Sequence, residues 1–257
     1  MTNSIKGLQV GRFGWMLGFL IGVLCLGCQT SPQQRETALS HMRMGDSLLK
    51  EGKPTQALGE LLKATELDPD EPQIHNVLGV VYLEKGMNAQ AAEHFRKALS
   101  LDPKYIEVRN NLGIAYLRAG KIQEAIKELN LAVENPLYAT PQFAYHNLGQ
   151  AYLALQDYEK ARANFTESLK LSPQYSMSYY GLGLTWKAEG NWEKAAENFK
   201  KTIEYAPRFA PGHFDLGEVL VRLNENSLAR LAFQEVIQLA PDSEQARKAK
   251  ERLKEIQ

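Results

Sequence analysis

Apolar residues recur along the chain at helical spacing, in short paired runs. The pattern is clearest between Pro72 and Tyr105. Leu78 and Tyr82 lie four apart, as do Ala91 and Phe95, with Ala98 three further on. Each run therefore predicts an amphipathic helix. Lys85-Gly86-Met87-Asn88 separates the two runs, and Pro103 closes the second. Gly79 and Ala91 are small enough to let the helices approach closely, with Tyr82 and Phe95 filling the space between them. The unit predicted is a helix-turn-helix hairpin of 34 residues.

The same marks return in phase, giving six copies over 38–71, 72–105, 106–141, 142–175, 176–209 and 210–243. The third copy is two residues longer, and its extra length falls within Asn135-Pro136-Leu137-Tyr138-Ala139-Thr140-Pro141. Pro69, Pro103, Pro173 and Pro241 stand where a helix has to stop. Gly52, Gly86, Gly120 and Gly190 occupy the turns inside hairpins, a place that suits positive φ. Gln156-Asp157 and Asn224-Glu225-Asn226 take that place in the fourth and sixth copies. Each hairpin can bury its apolar face only against its neighbours, so the repeats predict one continuous stack. Residues 244–257 read as a charged helix that caps the stack through Ala246, Ala249, Leu253 and Ile256. The period and its Leu-Gly, Tyr, Ala, Phe, Ala and Pro marks resemble the tetratricopeptide repeat. That resemblance implies an all-α, right-handed superhelical solenoid.

The N-terminus follows a different pattern. Lys6 and Arg12 precede an uncharged, mostly apolar run from Phe13 to Leu26. At ~1.5 Å per helical residue the run covers about 20 Å, short of a ~30 Å hydrocarbon core. It has the length of a signal-peptide core. It ends in Cys25-Leu26-Gly27-Cys28, which resembles a bacterial lipobox. The resemblance implies a signal peptide over 1–27, lipidation of Cys28, and a polar, lipidated tether over 28–37. An uncleaved signal anchor is the other reading. Gln29 follows the cysteine, and by the same resemblance it permits export to the outer membrane, with the solenoid in the periplasm.

Charge and composition narrow the function. The chain is formally neutral, and loss of Lys6 and Arg12 with the leader leaves it two charges negative. A nearly neutral chain offers no footprint for nucleic acid, whose binding leans on clustered Lys and Arg. Cys25 and Cys28 are the two cysteines, so the repeats have no disulfide framework. None of the five histidines pairs with another at metal-ligand spacing, and three of them, His41, His75 and His213, share position four of their repeats, an expected packing site. Nucleophile-elbow and phosphate-cradling motifs are also missing. The reading is therefore a non-enzymatic protein without cofactor, metal or small-molecule substrate.

In the tetratricopeptide family, positions two, five, nine and twelve of each repeat face a concave groove. By that correspondence Asn76, Asn110, Ile114, His146, Gln150, Tyr180 and Phe214 are the candidate partner surface. The alternative is that they pack between hairpins, with Val80, Ile114 and Leu184 the first candidates for packing. A mixed amide, imidazole and aromatic groove would suit a peptide or helix. Position five has no Lys and position nine no Asn, which argues against a carboxylate clamp for chaperone tails. Pro136 and Pro141 are expected to hold the third-to-fourth linker extended. Tyr138 either plugs the gap there or meets a partner.

Arg109-Asn110-Asn111-Leu112-Gly113, the Pro136-to-Pro141 stretch and Asn147-Leu148-Gly149, behind a lipobox and with six repeats, resemble the PilF/PilW/Tgl pilotin family of type IV pilus biogenesis lipoproteins. The resemblance implies a lipid-anchored factor that helps an outer-membrane secretin assemble. Its partner would be a secretin subunit or another pilus-assembly protein. A general periplasmic scaffold, such as an adaptor for peptidoglycan enzymes, is the competing reading.

Overall fold

The computed structural model describes residues 30–256. The lipobox, Cys28 and the leader lie outside the described residues. Within them the chain forms thirteen helices joined by turns, with no strand. They pair as antiparallel hairpins: α1 (Pro32–Lys50) with α2 (Pro54–Leu67), α3 (Pro72–Glu84) with α4 (Asn88–Leu101), and α5 (Ile106–Arg118) with α6 (Ile122–Val133). Then come α7 (Pro141–Ala154) with α8 (Tyr158–Leu171), α9 (Ser176–Ala188) with α10 (Trp192–Tyr205), and α11 (Ala210–Arg222) with α12 (Asn226–Leu239). The last helix, α13 (Glu244–Glu255), packs on α11 and α12 and buries Ala246 and Ala249.

No single core serves the molecule. Apolar clusters follow one another along the stack, for example Ala57, Leu61 and Ala64 against Ile74 and Leu78. At the far end, Phe199, Phe233 and Ala249 share another. Phe95, Phe165, Phe199 and Phe233, with Leu61 and Leu129, occupy one repeat position and are fully buried. Burial of one such side chain contributes about 1.5–3 kcal/mol. Each meets a glycine of its partner helix. A Cβ on Gly79 would stand 2.4 Å from the Phe95 ring, and one on Gly217 2.7 Å from Phe233. The Leu-Gly mark of the sequence is thus the space required by the large side chain sixteen residues later.

Hairpin turns reverse through one residue with positive φ. Gly52, Gly86, Gly120 and Gly190 adopt it, and Gln156 and Asn224 adopt it at φ 60°. Between hairpins the connections are four residues long, as at Asp102–Tyr105, except after α6. There α6 has 12 residues where α4 and α8 have 14. The following connection runs from 134 to 140. The linker is not simply extended. Leu137 and Tyr138 donate their backbone N–H groups to the side-chain and main-chain oxygens of Asn135, at 2.8 and 3.1 Å. Pro136 therefore sits in a tight turn, and Pro141 opens α7. Tyr138 is 6 % exposed and lies among Ala125, Leu129, Ala132, Ala144 and Leu148, so it plugs the junction.

The start of the solenoid also differs from the sequence reading. Residues 32–37, expected as tether, belong to α1. Ser31 and Gln34 form a reciprocal capping box and Pro32 opens the helix. Arg35 then pairs with Glu71 and reaches Asp68, both buried in the turn before α3. Those two carboxylates need a cation, and the earlier helix start supplies it.

Candidate partner-binding face

The first helices α3, α5, α7, α9 and α11 carry the residues expected to face a partner. Their side chains divide into two sets. Asn110 and His146 are buried, at 8 % and 5 % exposure, and so do not form an open groove wall. Asn76, Ile114, Tyr180 and Phe214 are half-buried, while Gln150 is exposed. Ile114 packs beside Leu112 and Ala115, and the Phe214 ring lies 5.7 Å from that of Phe233.

Two contacts explain the burial of position five. The first is with the aromatic residue that ends the same repeat. Tyr105 accepts a hydrogen bond from the Asn76 amide at 3.2 Å. Tyr175 packs edge-on to His146 at 5.2 Å, and Phe209 edge-on to Tyr180 at 5.0 Å. The second contact is with position six of the next hairpin. Asn111 donates to Asn76 at 3.1 Å, Asn147 donates to Asn110 at 2.9 Å, and Tyr180 donates to Asp215 at 2.7 Å. Position six of the fifth hairpin is Gly181, whose Cβ would lie 2.4 Å from Phe165. His146 turns instead to Ser178, 3.1 Å away, which donates in turn to Ser168. The Asn-Asn motif is therefore a ladder between hairpins.

The donors in this chain fix the state of His146. Ser178 spends its proton on Ser168, so its oxygen accepts the His146 Nδ1–H, and Gln150 donates to Nε2 at 2.9 Å. Both ring nitrogens are satisfied in the neutral form. Burial lowers its pKa to about 4. At Tyr180, burial and then the Asp215 carboxylate raise the hydroxyl pKa well above its ordinary value. Lys187 completes that cluster with a 2.6 Å contact to Asp215.

Of the groove positions on these helices, Gln73, Glu107, Phe143 and Gln150 remain open, with Leu153 half-buried among them. Phe143 is 39 % exposed. Amide donors and acceptors beside an exposed ring can hold an extended or helical peptide by a few hydrogen bonds and one apolar anchor. Further along, Arg252 of α13 grips Glu218 with two hydrogen bonds of 2.7 and 3.0 Å and leaves a charged end to the groove.

One pairing was not visible in sequence spacing. His75 and His94 bring their Nδ1 atoms within 3.1 Å, and the His75 Nε2–H donates to the Pro69 carbonyl at 2.8 Å. Positions four and twenty-three also meet as His41–Glu60 and Arg109–Glu128, so comparing the two columns would have found it. Among the described residues no group of three or more His, Cys, Asp or Glu could hold a metal ion.

Comparison with known proteins follows this geometry. Tetratricopeptide-repeat family profiles match residues 42–106, 82–136, 142–175 and 187–253. The chain is similar to the type IV pilus assembly protein PilF of Pseudomonas aeruginosa, 31 % identical over 165 residues, which covers 61 % of this chain and 66 % of that protein. Among solved structures it resembles PilW, a type IV pilus biogenesis factor, with a TM-score of 0.75 and 23 % identity, over 82 % of this chain and 97 % of PilW. The P. aeruginosa PilF structure gives 0.71 and 22 %, over 86 % and 99 %. At those identities the two structures establish the shared fold.

Proposed function

The chain belongs to the tetratricopeptide-repeat family, and from that premise we propose that it is a non-catalytic protein-binding scaffold of type IV pilus biogenesis. The observation that carries the reading is the 31 % identity to a protein named for pilus assembly. In finer terms the proposed role is that of a pilotin. The protein is anchored by lipid on Cys28 at the outer membrane, its solenoid faces the periplasm, and it assists a secretin subunit to assemble. The open amides and Phe143 of the first-helix face are the docking surface in this reading. The covered residues Asn110 and His146 hold that surface in shape.

The test is an immunoblot of secretin from unheated membranes, with and without this gene. The expected result is loss of the high-mass multimer, restored by the wild type and not by Cys28→Ala. An unchanged multimer at normal abundance would overturn the pilotin role and favour a general envelope scaffold. Gln150→Ala with Phe143→Ala, in the lipidated protein, separates docking from anchoring.

A further inference from the structure

The face formed by the second helices carries an apolar cleft of about 380 Å³ near the C-terminal end. It lies between α10, α11 and α12, with the buried side chains of Leu216, Leu220 and Ala232 as its floor. Leu228 and Leu231 stand at its edge, 46 % and 61 % exposed. Comparison between repeats shows why the cleft exists. Position nineteen is Gln56, Gln90, Glu124, Lys160 and Lys194 in the first five copies and Leu228 in the sixth. Position twenty-three is Glu60, His94, Glu128, Asn164 and Asn198, and then Ala232. Two columns that are polar in five hairpins become apolar in the last, and a large polar side chain that would fill the groove is replaced by alanine. Five solvated copies are the chain's own control for what a water-facing surface looks like here.

We propose that this patch is the contact surface of a two-fold dimer with a second copy of the chain. An isologous interface has to be complementary to itself. The patch has both halves of such a fit: Leu228 and Leu231 project, and the cleft beside them is of a size to receive leucine side chains. It also carries one charge of each sign, on opposite walls, Lys200 on α10 and Glu235 on α12. The adjacent Lys201 is taken by Glu204, whereas Lys200 and Glu235 have no ion-pair partner among the described residues. In the dimer each Lys200 meets the second copy's Glu235. A contact centred on two leucines is smaller than the ~1,600 Å² of a standard stable interface. The dimer is therefore weak and forms only at high protein concentration.

Sedimentation velocity of the full chain in density-matched mild detergent tests this. The expected result is a shift from monomer to dimer between about 10 µM and 1 mM. Leu231→Glu, at an exposed site that folding tolerates, abolishes the shift while leaving the circular dichroism unchanged. Lys200→Glu and Glu235→Lys each weaken association, and the variant carrying both regains it. A monomer throughout, or a dimer indifferent to Leu231→Glu, overturns the proposal. So does a charge swap that stays as weak as its single variants. Capture of a different protein through Leu231, with no self-association, would give the cleft to that partner instead.

Discussion

Asn147 donates its side-chain N–H to Oδ1 of Asn110 at 2.9 Å, and both residues are buried where the third hairpin meets the fourth. This junction also has the longest connection and the shortest second helix. Asn147→Ala leaves the Asn110 oxygen buried without that donor, which costs about 1–3 kcal/mol. Removing both amides costs less than the sum of the two single changes, because no polar atom is then left unpaired. Urea denaturation of the two single variants and the double measures the coupling. Additive losses would show that the ladder is incidental.

The glycines of the first and second helices predict opposite outcomes for one substitution. A Cβ at position 79 would lie 2.4 Å from the Phe95 ring, which is fully buried and has nowhere to move. Gly79→Ala should destabilise by about 1–3 kcal/mol. Gly59, on α2, has no atom within 4 Å of where a Cβ would stand. Gly59→Ala should stabilise by about 0.5–1 kcal/mol through helix propensity. Thermal unfolding of the pair checks both signs.

Gln156 turns the fourth hairpin at φ 60°, where four other hairpins use glycine. A side chain in that region costs about 1–2 kcal/mol. Gly carries more chain entropy to lose, so Gln156→Gly should gain about 0.5–1 kcal/mol net. Gln156→Val, branched at Cβ, should lose about 1 kcal/mol or more. The order Gly, Gln, Val in melting temperature is the expected reading, and any other order would show that Asp157, which caps α8 by accepting from the Lys160 N–H, governs the turn.

The repeat made most of the fold legible. Gly79 and Phe95 lie sixteen residues apart in a pattern copied six times, so their contact could be inferred from the period alone. Position five was harder. The resemblance to the tetratricopeptide family places Asn110 and His146 toward the groove, and the hairpin alone would leave them open. Their cover comes from other chain segments: Tyr175 at the end of the repeat for His146, and Asn147 of the next hairpin for Asn110. The helical start at Pro32 was hidden for a similar reason. The segment 32–37 looks polar and tether-like until Asp68 and Glu71 are seen folded against Arg35. Tyr138 was open between plug and contact in sequence, and the alanines around it decide for the plug.

His146 makes stability depend on pH where the fourth hairpin meets the fifth, against Tyr175 and Ser178. Its pKa is lowered to about 4 in the folded chain, from an ordinary value of 6.5, because burial penalises the charged ring. As pH falls the unfolded chain takes up the proton first, so protonation favours unfolding. The neutral-state stability is complete above pH ~6.5 and declines down to pH ~4, by an amount on the order of 3 kcal/mol. His94 adds to the loss with the same sign, its pKa lowered by burial first and then by His75. The hydrogen-bond chain supplies the mechanism: a second N–H on His146 would point at the Gln150 amide that now donates to Nε2. His146→Gln keeps a polar group in the slot and removes the titration. Its unfolding free energy should run flatter than the wild type's between pH 6.5 and 4, where carboxylates contribute equally to both proteins. Parallel profiles would mean that the folded chain accepts the proton at His146 without cost.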